Sequence, residues 1–225
     1  AATAATVLER ISAGGKLVIA HRESAVPFSY VASGKPVGYA VDLCLRLAEV
    51  VRKKTGAKDM AVELVMVSPA NRIEMIEQGK ADLECGSTTN NAERRQKVAF
   101  TVPHFITGAR LLTKASSSID RLEDLQGKIL ASTQGTTPLK AVTQANRERL
   151  MGIKIVEAPD HARGVEMVEK GEADAFLMDD VLLYGLAAAR PDPKALKVVG
   201  RFVTTEPLAI MLPKNDPDFK KLVDD

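Results

Sequence analysis

The chain has few cysteines, and the two that it has form no recognisable motif. Its 225 residues contain Cys44 and Cys85 alone. The sequence has no CxxC spacing and no cluster of cysteine with histidine, so we predict no metal site and no cofactor. The two cysteines either form a disulfide, as in an oxidising compartment, or remain two buried thiols.

Net charge and long apolar runs are also scarce. A formal charge of +2 is too small to indicate binding to nucleic acid or to a membrane surface. No apolar run approaches the roughly 18 residues of a membrane span. No signal peptide is visible, and the segment Ala1–Thr6 is typical of a mature or trimmed terminus.

Sequence signatures of common enzyme classes are missing as well. We find no glycosidase-like pair of acids, no nucleophile elbow in a Ser-His-Asp order and no glycine loop that would hold a phosphate. An enzyme would need a general acid, for which the sequence offers only His161 and Glu84 as remote candidates. We therefore predict a protein that is not an enzyme.

A near repeat is the most informative feature that is present. The nine residues 74–82 (EMIEQGKAD) recur at 166–174 (EMVEKGEAD), with six identities at an offset of 92. Each copy is typical of a helix end, a glycine stop and the start of a strand. The offset places Ser87 opposite Asp179 and Pro69 opposite His161. Two similar units thus carry polar groups at strand carboxyl ends, where open α/β sheets bind ligands.

Hydrophobic patterning predicts two successive β-α-β-α-β units and so an α/β fold with mostly parallel sheets flanked by helices. The first has strands at 16–21, 61–67 and 81–85 and helices at 41–52 and 70–79. The second has strands at 128–133, 153–157 and 173–178, helices at 138–151, 162–171 and 181–190, and extended segments at 109–114 and 197–203. A strand at 208–212 and a helix at 218–225 end the chain.

The second unit is inserted in the first, which predicts two lobes. We expect a first lobe of residues 1–103 and 208–225, a second lobe of 109–202, and hinge strands at 104–108 and 203–207. Two linkers that run side by side permit the lobes to close on a ligand.

Two polar segments are candidates for binding that ligand. Hydroxyl and amide side chains in residues 86–91 lead into a short helix that Thr89 or Asn90 would cap, with Arg94 one turn further on. Helix N-terminal N–H groups and an arginine fork suit a carboxylate. Asp179 and Asp180 follow a strand, where one would bind an ammonium group and the other would cap the next helix. Each segment also has an ordinary explanation: the first as a helix cap with Arg94 as a surface charge, and the second as the N-cap of the helix that starts at Val181.

Three cationic or ionisable residues stand at the same rim of the predicted fold. Arg22 directly follows the first strand, Arg72 starts a helix and His161 stands near the start of another. Alone, each is more typical of a solvated or hydrogen-bonded residue. Their shared position at strand carboxyl ends is what favours a binding role.

Long strings of this sequence resemble the periplasmic amino-acid-binding proteins of ABC importers, in the branch that takes glutamate and aspartate. The strings are His21–Tyr30, Asn71–Ile73, Glu84–Asn91 with Glu93 and Arg94, Arg110–Lys114, Gly135–Thr137, Asp160–His161 and Met178–Asp180. The likeness runs from about residue 16 to 225. It implies a two-lobed fold with a two-strand hinge, hinge closure around an acidic L-amino acid and delivery to a membrane permease.

The resemblance also implies roles for eight residues. Arg94 would hold the ligand α-carboxylate with the hydroxyls or amides of Thr89 and Thr137. Asp179 would take the α-ammonium group, with Ser87 nearby, and the side-chain carboxylate would face Arg22, Arg72 and His161. A buried unpaired charge is costly, so this pocket should bind neutral side chains poorly.

The same resemblance implies a periplasmic protein that acts as a monomer, with no nucleic-acid partner. Two alternatives stay open: the ligand-binding domain of an amino-acid sensor or receptor, and a dehydratase-like enzyme on the same fold. The choice between glutamate and aspartate is also open, because one methylene is decided by the depth of the pocket.

Overall fold

A computed structural model describes residues 5–225 of the chain. The helices are α1 Val7–Ser12, α2 Tyr39–Thr55, α3 Arg72–Glu77, α4 Thr137–Glu148, α5 His161–Glu169, α6 Asp180–Ala188 and α7 Pro217–Asp224. The strands are β1 Leu17–His21, β2 Ser24–Ala25, β3 Ser29–Ala32, β4 Lys35–Val37, β5 Val62–Met66, β6 Leu83–Thr89, β7 Val98–Phe100, β8 Phe105–Thr107, β9 Ala109–Lys114, β10 Ile129–Thr133, β11 Lys154–Ala158, β12 Ala175–Asp179, β13 Leu196–Val199 and β14 Glu206–Pro213.

Two large sheets define two lobes. The first lobe is built on the order β5-β1-β6-β14-β7, with β8 also paired to β14, and the second lobe on β11-β10-β12-β9-β13. In each sheet the three strands of the β-α-β-α-β unit are parallel, and the remaining strands pair antiparallel. This confirms the predicted two-lobed α/β fold, because helical crossovers force parallel pairing whereas strands that return through the hinge run the other way.

Several short elements were not predicted. The largest is the antiparallel sheet β2-β3-β4. Its last hairpin turns at Ser33 and Gly34, which both have positive φ of 50° and 75°. That is the two-residue turn that matches the twist of a hairpin. Strands of two to four residues are too short for alternation of apolar and polar residues to be visible in the sequence.

The repeated nine residues fold in the same way twice. In the first copy, the N–H groups of Lys80 and Ala81 both donate to the carbonyl of Met75; in the second, Glu172 and Ala173 both donate to Met167. The glycine stops, Gly79 and Gly171, have φ of 69° and 73°. The likeness of the two segments therefore extends to individual backbone hydrogen bonds, and the left-handed conformation explains why both stops are glycine.

The final aspartate of each copy attaches the strand to its neighbour. The Asp82 carboxylate accepts from the N–H of Val18 at 2.8 Å, and the Asp174 carboxylate accepts from the N–H of Ile129 at 2.8 Å. In each case the neighbouring strand lies beside the one that the repeat starts. The aspartate thus fixes where β6 and β12 begin relative to β1 and β10.

A disulfide joins Cys44 of α2 to Cys85 of β6, which resolves the alternative left open by the sequence. Both residues are fully buried in the main apolar core, together with Phe28 and Phe219. The bond attaches the longest helix of the first lobe to the strand that ends in Ser87, Thr88 and Thr89.

Two segments connect the lobes. The first contains β8, which pairs antiparallel with the start of β14. The second approaches it closely: a Cβ on Gly108 would lie 2.4 Å from the Thr204 carbonyl oxygen, so only glycine fits there. The exact residue bounds of lobes and hinge stay a prediction. Within residues 5–225, none of the helices has the length and apolarity needed to cross a bilayer.

Candidate functional site

The candidate site lies in the cleft between the lobes, where strand carboxyl ends of both sheets face each other. Arg22 follows β1, Ser87 and Thr89 end β6, and Asp179 ends β12. Thr137 and His161 are the first residues of α4 and α5, which follow β10 and β11. The fold therefore brings together all eight residues predicted from the sequence: Arg22, Arg72, Ser87, Thr89, Arg94, Thr137, His161 and Asp179.

Arg94 crosses from the first lobe to the second. Its Nη1 donates to the Thr89 carbonyl at 2.9 Å and its Nη2 to the Gly135 carbonyl at 3.1 Å. The short helix that begins at Arg94 is a single 3-10 turn, and neither Thr89 nor Asn90 caps it: its N-cap position, Glu93, makes no side-chain cap bond, while the Asn91 side chain accepts from the Arg94 N–H at 2.9 Å. The predicted cap was wrong because Thr89 belongs to β6. Burial, then the charge of Arg72, lowers the pKa of Arg94 to about 10.

Arg72 makes a second guanidinium contact across the cleft. Its Nη2 donates to the same Gly135 carbonyl at 3.3 Å and its Nη1 donates to the Thr88 hydroxyl at 2.9 Å. The Thr88 hydroxyl in turn donates to Glu84 at 2.8 Å. Burial is the main cause that lowers the pKa of Arg72. Glu84 is fully buried and supplies a counter-charge beneath the arginine.

Arg22 and His161 meet from opposite lobes. Arg22 Nη2 lies 3.3 Å from His161 Nε2, and His161 Nδ1 lies 2.9 Å from the Thr133 hydroxyl. A guanidinium only donates, so Nε2 accepts and the ring proton sits on Nδ1. Burial, followed by the charge of Arg22, holds the pKa of His161 well below its ordinary value. The imidazole is therefore neutral, and burial followed by Arg72 lowers the pKa of Arg22 to about 9.

Asp179 is the acidic residue on the wall of the second lobe. It stands at the N-cap position of α6 but makes no side-chain cap bond. Asp180 accepts from the Thr107 hydroxyl at 2.6 Å, so the expectation that one aspartate would cap this helix was wrong. Among residues 5–225, Asp179 Oδ1 is buried without a hydrogen-bond partner. Burial, and after it the charge of Glu206, raises the pKa of this carboxyl well above its ordinary value.

A small cavity lies between these walls. Its volume is about 10 Å³, which is about the room that one water molecule needs. Its lining includes Arg72, Ser87, Thr89, Thr137, His161 and Asp179. Six of the eight predicted residues thus line one small cavity. Of the other two, Arg22 contacts the lining residue His161, and Arg94 donates to the carbonyl of the lining residue Thr89.

The lobes are closed on each other around this cavity. The Ser24 hydroxyl accepts from the N–H of Ala162 at 3.2 Å, and Lys140 pairs with Glu93 at the mouth. Two glycines permit the close approach: a Cβ on Gly135 would lie 2.6 Å from the Pro69 carbonyl oxygen, and one on Gly185 would lie 2.8 Å from that of Val26.

Sequence reasoning missed the acidic and backbone partners of the arginines. Glu206, in the second connector, is buried and accepts from the hydroxyls of Thr89 and Thr137. Glu84 and the Gly135 carbonyl were also missed as partners. The number of predicted arginines could have indicated such partners, because three arginine side chains buried in one cleft require buried acidic groups. Which of the chain's acids supply them is decided by tertiary contacts.

Among the described residues, no group of three or more histidine, cysteine, aspartate or glutamate side chains is arranged to hold a metal ion. The groups that converge here are guanidinium donors, carboxylates, hydroxyls and a neutral imidazole. Such a set can bind a small zwitterion that carries carboxylates at the arginines and an ammonium group at Asp179.

The chain is similar to known proteins over almost its whole length. Residues 17–225 match the bacterial extracellular solute-binding proteins, family 3. A glutamate/aspartate import solute-binding protein of Salmonella typhimurium is 42% identical over the whole chain and 75% of its own length. An L-glutamate/L-aspartate-binding protein of Pseudomonas aeruginosa is 40% identical over 96% of this chain and 72% of its own.

Solved structures show the same fold. A truncated, arginine-bound arginine-binding protein from T. maritima superposes with a TM-score of 0.83 at 25% identity, and covers 96% of both chains. A periplasmic binding protein from Brucella ovis with glutathione bound gives a TM-score of 0.86 at 19% identity, over 98% of this chain and 69% of that protein.

Proposed function

Because the chain belongs to family 3 of the bacterial extracellular solute-binding proteins, we propose that it captures an acidic L-amino acid by closure of its two lobes. In this proposal it acts outside the cytoplasm, as a periplasmic carrier, and delivers glutamate or aspartate to the membrane permease of an ABC importer. It binds its ligand without transforming it.

The observation that carries the proposal is the charge arrangement in the cleft. Arg22, Arg72 and Arg94 are each at most 8% exposed, and Asp179 is 3% exposed with one carboxylate oxygen unpartnered among residues 5–225. Two carboxylates and one ammonium group on a ligand complement this set. A cationic side chain, such as that of the arginine bound by the T. maritima protein, would be repelled by the same arginines.

The proposed role of each residue is the one that the family resemblance implies, and the position of these groups in one cleft supports it. Arg94, with the hydroxyls or amides of Thr89 and Thr137, takes the α-carboxylate, and Asp179 with Ser87 takes the α-ammonium. Arg22, Arg72 and His161 take the side-chain carboxylate. Arg94 and Asp179 belong to different lobes, so the α-amino-acid group would bridge the cleft and favour the closed state by its differential affinity.

The lobe bounds belong to the same proposal. Residues 1–103 and 208–225 would move as one body, 109–202 as the other, and 104–108 and 203–207 as the hinge. Gly108 and Thr204, which approach each other closely, lie one in each hinge segment. Strand β8 of the first segment pairs antiparallel with the start of β14, which lies in the second segment.

Calorimetric titration with L-glutamate, L-aspartate, L-glutamine and L-asparagine tests the proposal. We expect a micromolar or tighter Kd, equivalent to about −8 kcal/mol or more, for at least one acidic ligand. The amides should bind at least about tenfold more weakly, because a neutral side chain offers the buried arginines no second carboxylate to accept their N–H groups. Equal affinity for glutamine and glutamate would contradict the cationic side-chain pocket.

A further inference from the structure

Glu206 is the buried group that the binding proposal leaves without a role. It is 1% exposed and stands at the first residue of β14, where the second connector enters the first lobe. Its Oε1 accepts from the Thr204 hydroxyl at 2.8 Å, and its Oε2 accepts from the Thr137 hydroxyl at 2.7 Å and from the Thr89 hydroxyl. One carboxylate therefore touches the connector and both lobes.

These contacts determine where the hydroxyl protons point. A hydroxyl has one proton to donate, and a carboxylate only accepts. The protons of Thr89 and Thr137 are thus directed at Glu206, and the lone pairs of both hydroxyls remain for other partners. Both threonines line the cavity beside the unpartnered oxygen of Asp179.

We propose that Glu206 is a positioning residue that turns Thr89 and Thr137 into hydrogen-bond acceptors for the ligand α-ammonium group. The inference rests on the proposed function and deepens it. It implies that the hydroxyls of these threonines do not donate to the α-carboxylate. That group is left to Arg94 and to backbone N–H groups such as that of Thr137, which as the first residue of α4 has no intrahelical acceptor.

The same contacts make Glu206 sensitive to closure. Thr89 belongs to β6 of the first lobe and Thr137 to α4 of the second, so both hydroxyls reach one oxygen only when the lobes are together. The threonine hydroxyls are 3.4 Å apart in this arrangement. The acceptor set for the ammonium group is therefore complete only in the closed state.

Three substitutions test this role by calorimetric titration. In Glu206→Met, a side chain of similar length has no oxygen, and we expect the Kd for the amino acid to rise at least about tenfold. In Glu206→Gln, one amide oxygen can still accept from both threonines while the NH2 group faces Thr204, so we expect a Kd within about threefold of wild type. In Thr137→Val, one acceptor is lost and we expect a Kd at least about fivefold higher.

The affinity of a double variant distinguishes this positioning role from a purely structural one. If Glu206 acts through the threonines, Glu206→Met combined with Thr137→Val should bind about as well as Glu206→Met alone, because coupled effects do not add. Losses that multiply would overturn the proposal. As a matched control, Asp216→Asn alters another buried carboxylate, which accepts from the N–H groups of Val7 and Phe219 far from the cleft. It should lower thermal stability and leave the Kd unchanged.

Other outcomes are equally decisive. A tenfold loss in Glu206→Gln would mean that the charge of Glu206 matters, not its acceptor geometry, and would overturn the proposal even if Glu206→Met does not fold. A Kd within twofold of wild type in Thr137→Val would overturn it as well. Titration of the wild type with the full set of L-amino acids comes first. If neither glutamate nor aspartate binds, the proposed function fails, whereas the role of Glu206 can still be tested with whichever α-amino acid binds.

Discussion

The two copies of the helix–turn–strand unit share a backbone and differ in what they direct toward the cleft. At the offset of 92, Arg72 and Glu84 of the first copy correspond to Gly164 and Phe176 of the second. In the first lobe these two positions hold a buried arginine and a buried glutamate, which the Thr88 hydroxyl links by accepting from Arg72 and donating to Glu84. In the second lobe the Phe176 ring fills the same place, and a Cβ on Gly164 would lie 2.4 Å from it.

This difference shows how one backbone unit supplies both cationic and anionic walls. The shared residues fix the helix end, the turn and the start of the strand through hydrogen bonds of the main chain and of Asp82 or Asp174. The residues that differ lie before and after this shared segment, at pairs such as Arg72 and Gly164 or Ser87 and Asp179. The first lobe therefore contributes guanidinium groups and hydroxyls, and the second lobe contributes Asp179 and a neutral His161.

The largest expected effect concerns the cationic wall. Arg94→Ala removes the guanidinium that spans the cleft, and we expect affinity for the amino acid to fall at least about 100-fold, since truncating one partner of a buried charge pair costs about 2–5 kcal/mol. Calorimetry measures this loss. Arg95→Ala, which alters the exposed neighbour that donates to Asn90, is the control. Unchanged affinity in the Arg94 variant would remove the proposed carboxylate anchor.

The anionic wall should respond in a way that depends on pH. Asp179→Asn is expected to weaken binding about 30-fold or more at neutral pH, because the ammonium group loses its charged partner. The raised pKa of Asp179 means that part of the wild-type population carries a proton on this carboxyl as pH falls. An ammonium group needs the ionised form, so wild-type affinity should decline as pH falls through that raised pKa.

The affinity of the Asp179→Asn variant should not show this decline as pH falls. The same raised pKa lets the folded chain hold a proton that the unfolded chain releases near its ordinary pKa, so Asp179 removes stability as pH rises through that interval. In thermal unfolding of the ligand-free protein, the melting temperature of Asp179→Asn should thus rise relative to that of the wild type as pH rises. Identical pH profiles for affinity in both proteins would contradict the assignment of Asp179 to the ammonium group.

The contact between Gly164 and Phe176, which correspond to Arg72 and Glu84 of the first copy, can be tested by adding a methyl group to it. Gly164→Ala places a methyl group against the rigid Phe176 ring, and we expect the free energy of unfolding to fall by about 1–3 kcal/mol. Chemical denaturation measures this change. Gly164→Ala with Phe176→Leu in the same chain should recover part of the loss, because the smaller side chain vacates the space. No loss in the single variant would mean that helix α5 moves away at little cost.

A smaller effect concerns ligand choice. Arg72→Ala keeps Arg94 and Asp179 and so should retain binding, while the preference for glutamate over glutamine falls about tenfold, or about 1.4 kcal/mol. The reason is that Arg72 is assigned to the side-chain carboxylate. The ratio of the two dissociation constants is the measurement, and an unchanged ratio would show that Arg22 and His161 alone discriminate.

The last comparison concerns the final aspartate of each copy, which differs in burial and in its ion pair. Asp82→Ala and Asp174→Ala each remove the same hydrogen bond to the neighbouring strand. Asp82 is buried and also pairs with Arg10, whereas Asp174 is exposed. We expect a loss of about 1–3 kcal/mol in the free energy of unfolding for Asp82→Ala and under about 1 kcal/mol for Asp174→Ala. Equal losses would mean that neither burial nor the Arg10 ion pair strengthens the Asp82 contact.

Much of the fold followed from local chemistry. The parallel units and the glycine stops could be predicted, because apolar runs, helical spacing and left-handed glycines are properties of short segments. The predicted helix at 41–52 is longer in the structure, Tyr39–Thr55, and ends at Gly56 in the left-handed conformation. The hairpin sheet β2-β3-β4 could not be predicted, because its strands depend on mutual pairing and not on a pattern within each.

The sequence by itself determined that two similar units would point polar groups at strand carboxyl ends, because a strand followed by a helix leaves its last residues at one edge of the sheet. It also predicted which side chains those are, from Arg22 to Asp179. Only the tertiary structure decided how they are paired. Glu84 lies beneath Arg72, the Gly135 carbonyl receives both Arg72 and Arg94, and Glu206 collects three hydroxyl protons, because burial of charges requires partners that distant segments supply.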